Sequence, residues 1–411
     1  MLVALTMVGA HSAERIDEML DVDDPALADV ESRIRAREFD QPITWLETHI
    51  DTLESISHRY DPELVRPLVL LGDAELGKGN YGTALEHYGR AVHVSRVNDG
   101  LHSASHVEIV YREAQAYKAM GNYEQANNRE EYAYQVLKRA HGGMDEDLLP
   151  GVYKLARWYR DTQNLFSARA MYQHALEILI ANGKHDDLES IPAYEGIAWS
   201  YRLERFPPYF MSGGETRASE FSSAYEESIS INNFPAGERA LQQIIRIYRN
   251  TDSINPVVVS EAILELADWY LLFDKTKRAY PLYEYVYDAL EELEPGLAGT
   301  YFGEPKLLYF PVPQDPRPPD LQERGDARTG YVELAYEISD SGYPRSLKTV
   351  ASEPPGLMDF RVRKSLRLSR YRPMIVEGQA LATQDFTYRY EFDYFEELEP
   401  AQEVVEEEQD E

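Results

Sequence analysis

One short stretch of this chain has the glycine spacing of a phosphate-binding loop. Residues Gly77-Lys78-Gly79-Asn80-Tyr81-Gly82 satisfy the pattern G-x-G-x-x-G, in which backbone N–H groups approach a pyrophosphate. A P-loop would further require Ser or Thr for magnesium directly after the lysine, where this chain has Gly79. Both motifs follow a β-strand, whereas this stretch lies between two helical patterns. The sequence therefore favours a turn that needs glycine over a phosphate site.

The residue types that carry other chemistry form no recognisable site in the sequence. The ten histidines include no H-E-x-x-H pair, and His185 is followed by two aspartates in a segment with the composition of a solvated loop. The chain has no cysteine, which excludes a thiolate nucleophile, a disulfide and a cysteine-bound zinc ion. It also has no G-x-S-x-G motif. We therefore predict a non-enzymatic protein with no cofactor and no metal site.

Length and charge narrow the class of partner. The chain has 411 residues, enough for two or three domains, and a formal net charge of −31. Nucleic acids are bound through clustered Lys and Arg, so this charge balance argues against a nucleic-acid-binding protein. It favours other proteins, basic or neutral overall, as partners.

A turn signal recurs at a spacing of 42 residues and predicts the elements around it. Gly79-Asn80-Tyr81 returns as Gly121-Asn122-Tyr123 and, weakened, as Gln163-Asn164-Leu165, and Arg37-Glu38-Phe39 fits one period earlier. Small residues precede each turn, and in most copies a small residue and then an aromatic follow it, which lets two helices pack closely. This pattern resembles the tetratricopeptide repeat (TPR) over about residues 25–294. The resemblance implies an α-solenoid of helical hairpins that binds other proteins.

The repeat array is interrupted once. Arg205-Phe206-Pro207-Pro208 opens a segment, PPYFMSGG, that we expect to break the second helix of a hairpin. A register consistent with 42 residues resumes at Asn232-Asn233-Phe234 and at Asp274-Lys275-Thr276. Which helices pair between residues 214 and 255 stays open at this point.

The TPR resemblance also predicts a partner-binding groove. In that family the first helix of each hairpin lines the groove, and the matching positions here are aromatic, amide or basic. They are Tyr111, Gln115, Lys118, Tyr153, Arg157, Arg160, Trp199 and Arg202. Guanidinium groups on carboxylates and rings on the backbone would suit an acidic, extended peptide. The alternative is that the arginines pair with acids of the chain itself, such as Asp161 and Glu195.

The composition changes after Glu294 and predicts a second domain. Residues 295–328 are rich in proline and glycine, which is typical of a linker. For residues 329–396 the period becomes two, which predicts strands around a helix in a small α+β domain. The predicted elements are a strand with Val332, Leu334, Tyr336 and Ile338 on its buried face, a strand near Arg345–Ala351, a helix from about Leu357 to Tyr371, and an aromatic strand over Phe386–Tyr394.

Charge in this second part is divided between the helix and the end of the chain. Basic residues cluster on the helix and just after it, which predicts a solvated helix face: Arg361, Arg363, Lys364, Arg367, Arg370 and Arg372. Residues 397–411 have the composition of a disordered acidic tail. The tail could screen a basic surface of the same chain.

The order strand, strand, helix, strand resembles the C-terminal domain of the TonB energy-transducer family over about residues 300–396. The turn and second strand DSGYPRSLKTVASEP, and the arginine-aromatic-proline corner Arg370-Tyr371-Arg372-Pro373 followed by Gly378, carry the resemblance. The family's transducers also have a transmembrane anchor and a Pro-Glu/Pro-Lys spacer, which this sequence lacks. Without an anchor, direct coupling to an inner-membrane proton channel is not expected.

The TonB resemblance implies a second partner site, on the last strand. In that family an outer-membrane receptor's N-terminal segment pairs with this strand, so its edge should be open. The residues concerned are Phe386, Tyr388, Arg389, Tyr390, Phe392 and Tyr394. The alternative is that Lys306–Val312 or the acidic tail already covers this edge.

The first residues point to export. Residues 1–13 hold an apolar run of the length of a secretory signal, ending in small residues, although no positive residue precedes it. No other stretch is apolar enough to cross a membrane. We therefore expect a periplasmic or cell-envelope protein of a Gram-negative bacterium that acts in or beside Ton-type outer-membrane transport. The alternative is a general periplasmic TPR scaffold or assembly factor with no role in transport.

Overall fold

Helical hairpins make up the first of two units into which the chain divides, residues 1–185 and 186–411. The computed structural model describes residues 25–208, 233–316 and 324–397. The predicted signal segment, residues 1–13, lies outside these ranges. Hairpins 1 to 4 are α1 Pro25–Arg35 with α2 Asp40–Ile56, α3 Val65–Lys78 with α4 Tyr81–Asp99, α5 Val107–Ala119 with α6 Tyr123–His141, and α7 Leu149–Asp161 with α8 Leu165–Ala181.

The 42-residue period is visible in how the first helices begin. A short 3-10 turn precedes α3, α5 and α7, and its N-cap side chain accepts a hydrogen bond from the backbone N–H two residues on. The caps Asp61, Ser103 and Asp145 are spaced by 42 residues. Each oxygen satisfies one of the N–H groups that a helix start leaves without a partner.

The glycine-rich stretch forms the turn that the sequence predicted. Gly79 ends α3 with φ 85°, in the left-handed region, and α4 begins at Tyr81. Gly121 has φ 74° at the next copy, and Gln163 and Arg37 hold the same backbone conformation with φ 60° and 62°. A side chain is strained in that region, so glycine is the most favourable residue there.

The second unit continues the array and answers the open question of pairing. Its hairpins 5 and 6 are α9 Ile191–Arg205 with α10 Phe234–Asn250, and α11 Pro256–Leu272 with α12 Thr276–Leu293, and α13 Leu297–Phe302 follows. α9 packs against α10, so these two helices form hairpin 5. The predicted interruption, PPYFMSGG, runs from Pro207 into residues 209–232. Residues 209–232 lie outside the described ranges.

A small β-rich region completes the second unit. Its elements are β1 Lys306–Tyr309, β2 Arg324–Ile338, β3 Pro344–Glu353, α14 Asp359–Leu368, β4 Arg370–Arg372, β5 Met374–Val376, β6 Gln379–Leu381 and β7 Thr383–Glu397. An antiparallel sheet has the order β3-β2-β7, while β1 pairs with β4 and β5 with β6. The predicted order of strand, strand, helix and strand is therefore present as β2, β3, α14 and β7.

The core of the sheet follows the predicted alternation. Val332, Leu334, Tyr336 and Ile338 are buried and pack with Val362 of α14 and with aromatic residues of β7. The predicted linker, residues 295–328, is different. It contains α13 and β1, and Phe302 of α13 is fully buried. Gly296, with φ 90°, reverses the chain there, so glycine marks a tight turn rather than an extended spacer.

Length and polarity rule out a spanning helix in the part of the chain that the structure describes. Residues 25–208, 233–316 and 324–397 contain no helix long and apolar enough to cross a membrane.

Candidate functional site

The predicted groove residues are divided between the two units. Hairpin 3 carries Tyr111, Gln115 and Lys118 on α5, and hairpin 4 carries Tyr153, Arg157 and Arg160 on α7. The other two, Trp199 and Arg202, lie on α9 in the second unit.

Three of the six positions in the first unit are open to solvent. Gln115, Lys118 and Arg157 are exposed, and the Lys118 ammonium lies 5.9 Å from the centre of the Trp158 ring. Arg160 pairs with Asp161 at 3.1 Å, which is the alternative that the sequence left open for that residue. The exposed amide and cations of α5 and α7 remain available to a ligand.

Tyr111 is buried and packs with two charged residues that the sequence analysis missed. The Lys154 ammonium lies 3.2 Å from the centre of the Tyr111 ring. Glu130 of α6 is 7% exposed, and its Oε2 atom has no hydrogen-bond partner within the described residues. Burial raises the pKa of Glu130 to about 7, although the cations Lys154, Lys118 and Arg157 oppose this shift. Burial also lowers the pKa of Lys154.

A sequence signal for Glu130 existed. It stands 42 residues after Tyr88, at the place where most second helices have their aromatic residue. A carboxylate at a core position is unfavourable unless it is paired. A glutamate in the place of the repeated aromatic residue is therefore the sequence signal. It lies on the second helix of the hairpin and not on the groove-lining first helix.

Hairpin 2 shows how this position is filled elsewhere in the unit. The Tyr88 hydroxyl donates to Asp73 Oδ1 at 2.7 Å, and Arg112 Nε donates to the same carboxylate at 3.0 and 3.3 Å. Asp73 and Tyr88 come from one hairpin, and Arg112 from the next. We call this arrangement of an acid, a tyrosine and an arginine the carboxylate triad.

The second unit repeats the carboxylate triad with a different arginine. Tyr283 donates to Asp268 Oδ1 at 2.8 Å. Arg372 of β4 donates to both oxygens of Asp268, from Nε at 2.9 Å and from Nη2 at 2.7 Å. Its Nη1 also donates to the Tyr301 carbonyl at 3.0 Å. This forked contact fixes β4 on the first helix of hairpin 6.

Arg370 strengthens the same contact. It is 4% exposed, its Nε donates to the Leu271 carbonyl at 3.2 Å, and its guanidinium lies 3.6 Å from the centre of the Tyr343 ring. Asp274 is within ion-pair distance at 3.2 Å. The sequence grouped Arg370 and Arg372 with a solvated helix face, and the structure corrects this. Both are buried next to acceptors of hairpin 6. The Asp268 carboxylate accepts two hydrogen bonds from Arg372, whereas Arg370 has the Leu271 carbonyl on its Nε and Asp274 at ion-pair distance, and its Nη1 and Nη2 have no hydrogen-bond partner among the described residues.

Arg202 contacts an extended backbone, but one that belongs to its own chain. Its Nη2 donates to the Leu308 carbonyl of β1 at 2.6 Å. The rings of Phe206 and Tyr309 are 5.3 Å apart, and Val312 N donates to the Pro208 carbonyl at 2.7 Å. The strand β1 therefore lies along the end of α9.

The surroundings of α9 are acidic rather than basic. Burial and the facing carboxylate of Glu265 raise the pKa of Glu195 to about 7. Burial, and then the charge of Asp268, raise the pKa of Glu265. Glu195 occupies the position that Tyr111 and Tyr153 have in hairpins 3 and 4, so an acid in the second unit stands where the first unit has neutral aromatic residues.

The last strand lies at an edge of the sheet. β7 pairs with β2 in the order β3-β2-β7. Phe386, Tyr388, Tyr390, Phe392 and Tyr394 face the core, and Arg389 is exposed with its guanidinium 3.7 Å from the Tyr331 ring centre. The segment Lys306–Tyr309 pairs with β4 and not with β7. The acidic tail from residue 398 lies outside the described ranges.

Metal binding has no support in the described part of the chain. Residues 25–208, 233–316 and 324–397 contain no group of three His, Asp or Glu side chains that could hold a metal ion.

Comparisons with known proteins found matches among solved structures. No protein-family model and no curated protein matches the chain. Among solved structures, BtubC (BKLC) from P. vanneervenii is similar at 13% identity over 69% of this chain and 95% of its own, with a TM-score of 0.40. A putative kinesin light chain from Podosopora anserina with TPR-like repeats shows 16% identity over 57% and 98%, with a TM-score of 0.40. The TPR2AB domain–pHSP90 complex of yeast Sti1 shows 14% identity over 68% and 94%, with a TM-score of 0.24.

Proposed function

We propose that this protein is a non-enzymatic interaction scaffold whose first unit binds an acidic, extended peptide. The observation that carries this proposal is the set of exposed groups on two consecutive first helices, Gln115 and Lys118 on α5 and Arg157 on α7. In a chain with a net charge of −31, such a set is a local exception. An amide can hold a peptide backbone, and an ammonium and a guanidinium can hold its carboxylates.

A peptide titration tests this function. The probe is a labelled peptide with the sequence of Glu396–Glu411, and the protein is the chain ending at Glu397, so that its own tail does not compete. Exchanging both Lys118 and Arg157 for alanine should weaken binding at least about tenfold, and added salt should weaken the parent's binding. The matched control exchanges Arg59 and Lys78, which carry the same charge but lie in the turn after α2 and at the end of α3. Equal affinity in the groove variant and the parent would remove the proposal.

The place of β7 at the edge of the sheet, among the described residues, favours a second, more specific function. We propose that an extended segment of an envelope partner adds to β7, because a free strand edge supplies backbone hydrogen bonds along its length. With the resemblance to the TonB family, this supports a role in or beside Ton-type outer-membrane transport in the periplasm. A general periplasmic scaffold without a transport role is the alternative.

Proline substitutions test the edge. Proline removes one backbone donor, and neighbouring residues of a strand direct their N–H groups to opposite sides. Of Arg389→Pro and Tyr390→Pro, one should therefore lose partner binding while it stays folded, and the other should damage the pairing with β2. Thermal melts control for folding, and fractionation of cells that express the tagged protein tests the periplasmic location. If both folded variants capture the parent's partners from periplasmic extract, binding does not use this edge.

A further inference from the structure

Three positions of the carboxylate triad can be followed along the first unit at a spacing of 42 residues. Asp73 of hairpin 2 corresponds to Gln115 of hairpin 3, Tyr88 to Glu130, and Arg112 to Lys154. The first position lies on the first helix, the second on the second helix of the same hairpin, and the third on the first helix of the next hairpin. Hairpin 3 thus differs from hairpin 2 at all three places.

In hairpin 2 the three side chains satisfy each other. Asp73 accepts from both Tyr88 and Arg112, and Tyr88 is fully buried. In hairpin 3 the acid has moved to the second helix, as Glu130, and an exposed glutamine takes the place of the aspartate. A glutamate side chain is also shorter than a tyrosine, so it cannot reach the first helix in the way that Tyr88 does.

The exchange leaves two charged groups without the partners that the triad provides. Glu130 Oε2 has no hydrogen-bond partner among the described residues, although the side chain is more than nine-tenths buried. Within the same ranges Lys154 contacts the Tyr111 ring and lies within ion-pair distance of no carboxylate. A buried polar atom without a partner costs free energy, which a ligand that supplies one can recover.

The charges around Glu130 favour an anionic ligand. The groups that face it are Glu108 and Lys118 of α5 and Lys154 and Arg157 of α7. Of these, Lys118 and Arg157 are the exposed cations of the groove. A ligand carboxylate near Glu130 would therefore be attracted by three cations, Lys154, Lys118 and Arg157.

We propose that Gln115, Glu130 and Lys154 form the selective subsite of the groove, in which Lys154 takes a side-chain carboxylate of the bound acidic peptide and Glu130 takes up one proton from solvent. The proposal rests on the peptide-binding function proposed above. The ligand carboxylate becomes the ion-pair partner that Lys154 lacks among the described residues. Two carboxylates close to the same half-buried cation cannot both stay ionised at little cost, so the more buried one, Glu130, is protonated. The O–H group of the protonated Glu130 can then donate a hydrogen bond to the ligand carboxylate.

The pKa of Glu130, raised to about 7 by burial in the free protein, supports this order of events. The free protein is mostly ionised at Glu130 at pH 8 and mostly protonated at pH 6. If the peptide requires the protonated form, its affinity falls by about tenfold from pH 6 to pH 8. Glutamates of the peptide stay ionised over this range, since their ordinary pKa is about 4.3.

The test measures the pH dependence of peptide binding to the full chain and, in parallel, to the chain ending at Glu397. The probe is the labelled peptide with the sequence of Glu396–Glu411. The parent should bind about tenfold more weakly at pH 8 than at pH 6, and calorimetry in two buffers of different ionisation enthalpy should show uptake of close to one proton per peptide near pH 8. Glu130→Gln, which is always neutral, should bind with less than about a twofold change across this range and should match the parent at pH 6.

Glu113→Gln is the matched control. Glu113 is 7% exposed, on the first helix of the same hairpin, and burial raises its pKa, but the charges that oppose this shift are Arg129 and Arg96 instead of the groove cations. This variant should keep the parent's pH dependence. If Glu130→Gln does not fold, Glu130→Tyr restores the residue found at the equivalent place in hairpins 2 and 4, and it should also remove the pH dependence.

Two results would contradict the proposed subsite and leave the proposed peptide-binding function intact. One is a pH dependence that persists in Glu130→Gln or Glu130→Tyr. The other is a parent whose affinity is the same at pH 6 and pH 8. In both cases the peptide still binds and the exchange of Lys118 and Arg157 still weakens it, whereas absence of any binding would mean that the proposed function itself has failed.

Discussion

Asp73 in the first unit and Asp268 in the second are bound in the same way by residues of different origin. Each carboxylate accepts a hydrogen bond from a tyrosine of its own hairpin, Tyr88 or Tyr283, and from an arginine. For Asp73 this arginine is supplied by the next hairpin, but for Asp268 it is Arg372, which lies 104 residues further along the chain. At this contact the β-rich region provides what a following hairpin would provide.

The two triads differ in how far their charged side chains are buried. The side chains of Arg112 and Asp73 are 33% and 25% exposed, whereas those of Arg372 and Asp268 are 3% and 11% exposed. A partly solvated ion pair contributes little to stability, since water screens the charges and competes for the donors. A buried pair is different, because removal of one partner leaves a charge in a place where water cannot reach it. The same contact therefore has unequal consequences in the two units.

Arg372→Ala should have the largest effect. It leaves Asp268 buried with Tyr283 as its remaining donor, which should reduce the stability of the second unit by about 3 to 5 kcal/mol. Arg112→Ala is the matched change in the first unit and should cost less than about 1 kcal/mol. Chemical unfolding, monitored by hydrogen exchange of the backbone amides, measures the stability of each unit separately. Similar losses from both variants would mean that burial does not distinguish the triads.

Glu130→Gln should sharpen the comparison, because hairpin 3 has lost the triad. The pKa of Glu130 is raised to about 7 in the folded state from an ordinary 4.5. The native state therefore binds more protons than the unfolded state between these values, and the parent loses stability as the pH rises through this window. The variant should be more stable than the parent by about 2 to 3 kcal/mol at pH 8 and equal to it near pH 4.5. Parallel stability curves for the two proteins between pH 4.5 and 8 would contradict this assignment.

Gly72→Ala should have a smaller effect on the tyrosine of the first triad. A Cβ atom added at Gly72 would overlap the Tyr88 ring, so the ring that donates to Asp73 must move. We expect a loss of about 1 to 2 kcal/mol. The second unit already has Ala267 at the corresponding position, so Tyr283 has adapted to a methyl group there. Gly82→Ala is the control, since nothing lies within 4 Å of its added Cβ, and it should be neutral or slightly stabilising. If Gly72→Ala leaves the stability of the first unit unchanged, Tyr88 can adapt to a methyl group as Tyr283 has.

Much of the local structure could be predicted because it depends on residues close together in the chain. The left-handed turn at Gly79 and the alternation of Val332 with Leu334 follow from backbone sterics and from the period of a strand. The pairing of α9 with α10 could not be predicted. The number of residues between two helices does not change the hydrophobic pattern of either helix, so the pattern cannot say which helices pair.

The candidate site shows the same division. Gln115, Lys118 and Arg157 were predicted from their places on first helices, and the structure finds their side chains exposed. Whether they bind a peptide stays a prediction. Glu130 and Lys154 were missed since neither belongs to the groove positions of the family pattern. They matter because, among the described residues, Glu130 Oε2 has no hydrogen-bond partner and Lys154 has no carboxylate at ion-pair distance.

The sequence by itself determined the 42-residue period, the glycine turns, the buried faces of the strands and the order of elements in the β-rich region. These features follow from short-range sterics and from burial patterns that repeat every few residues. Only the tertiary structure decided which charges meet. Arg370 and Arg372 read as part of a solvated basic cluster, and they are buried because Asp268, Asp274 and the Leu271 carbonyl lie opposite them. The partner of a charge can be a hundred residues away, and whether that charge is tolerable inside a protein depends on the partner and not on the sequence beside it.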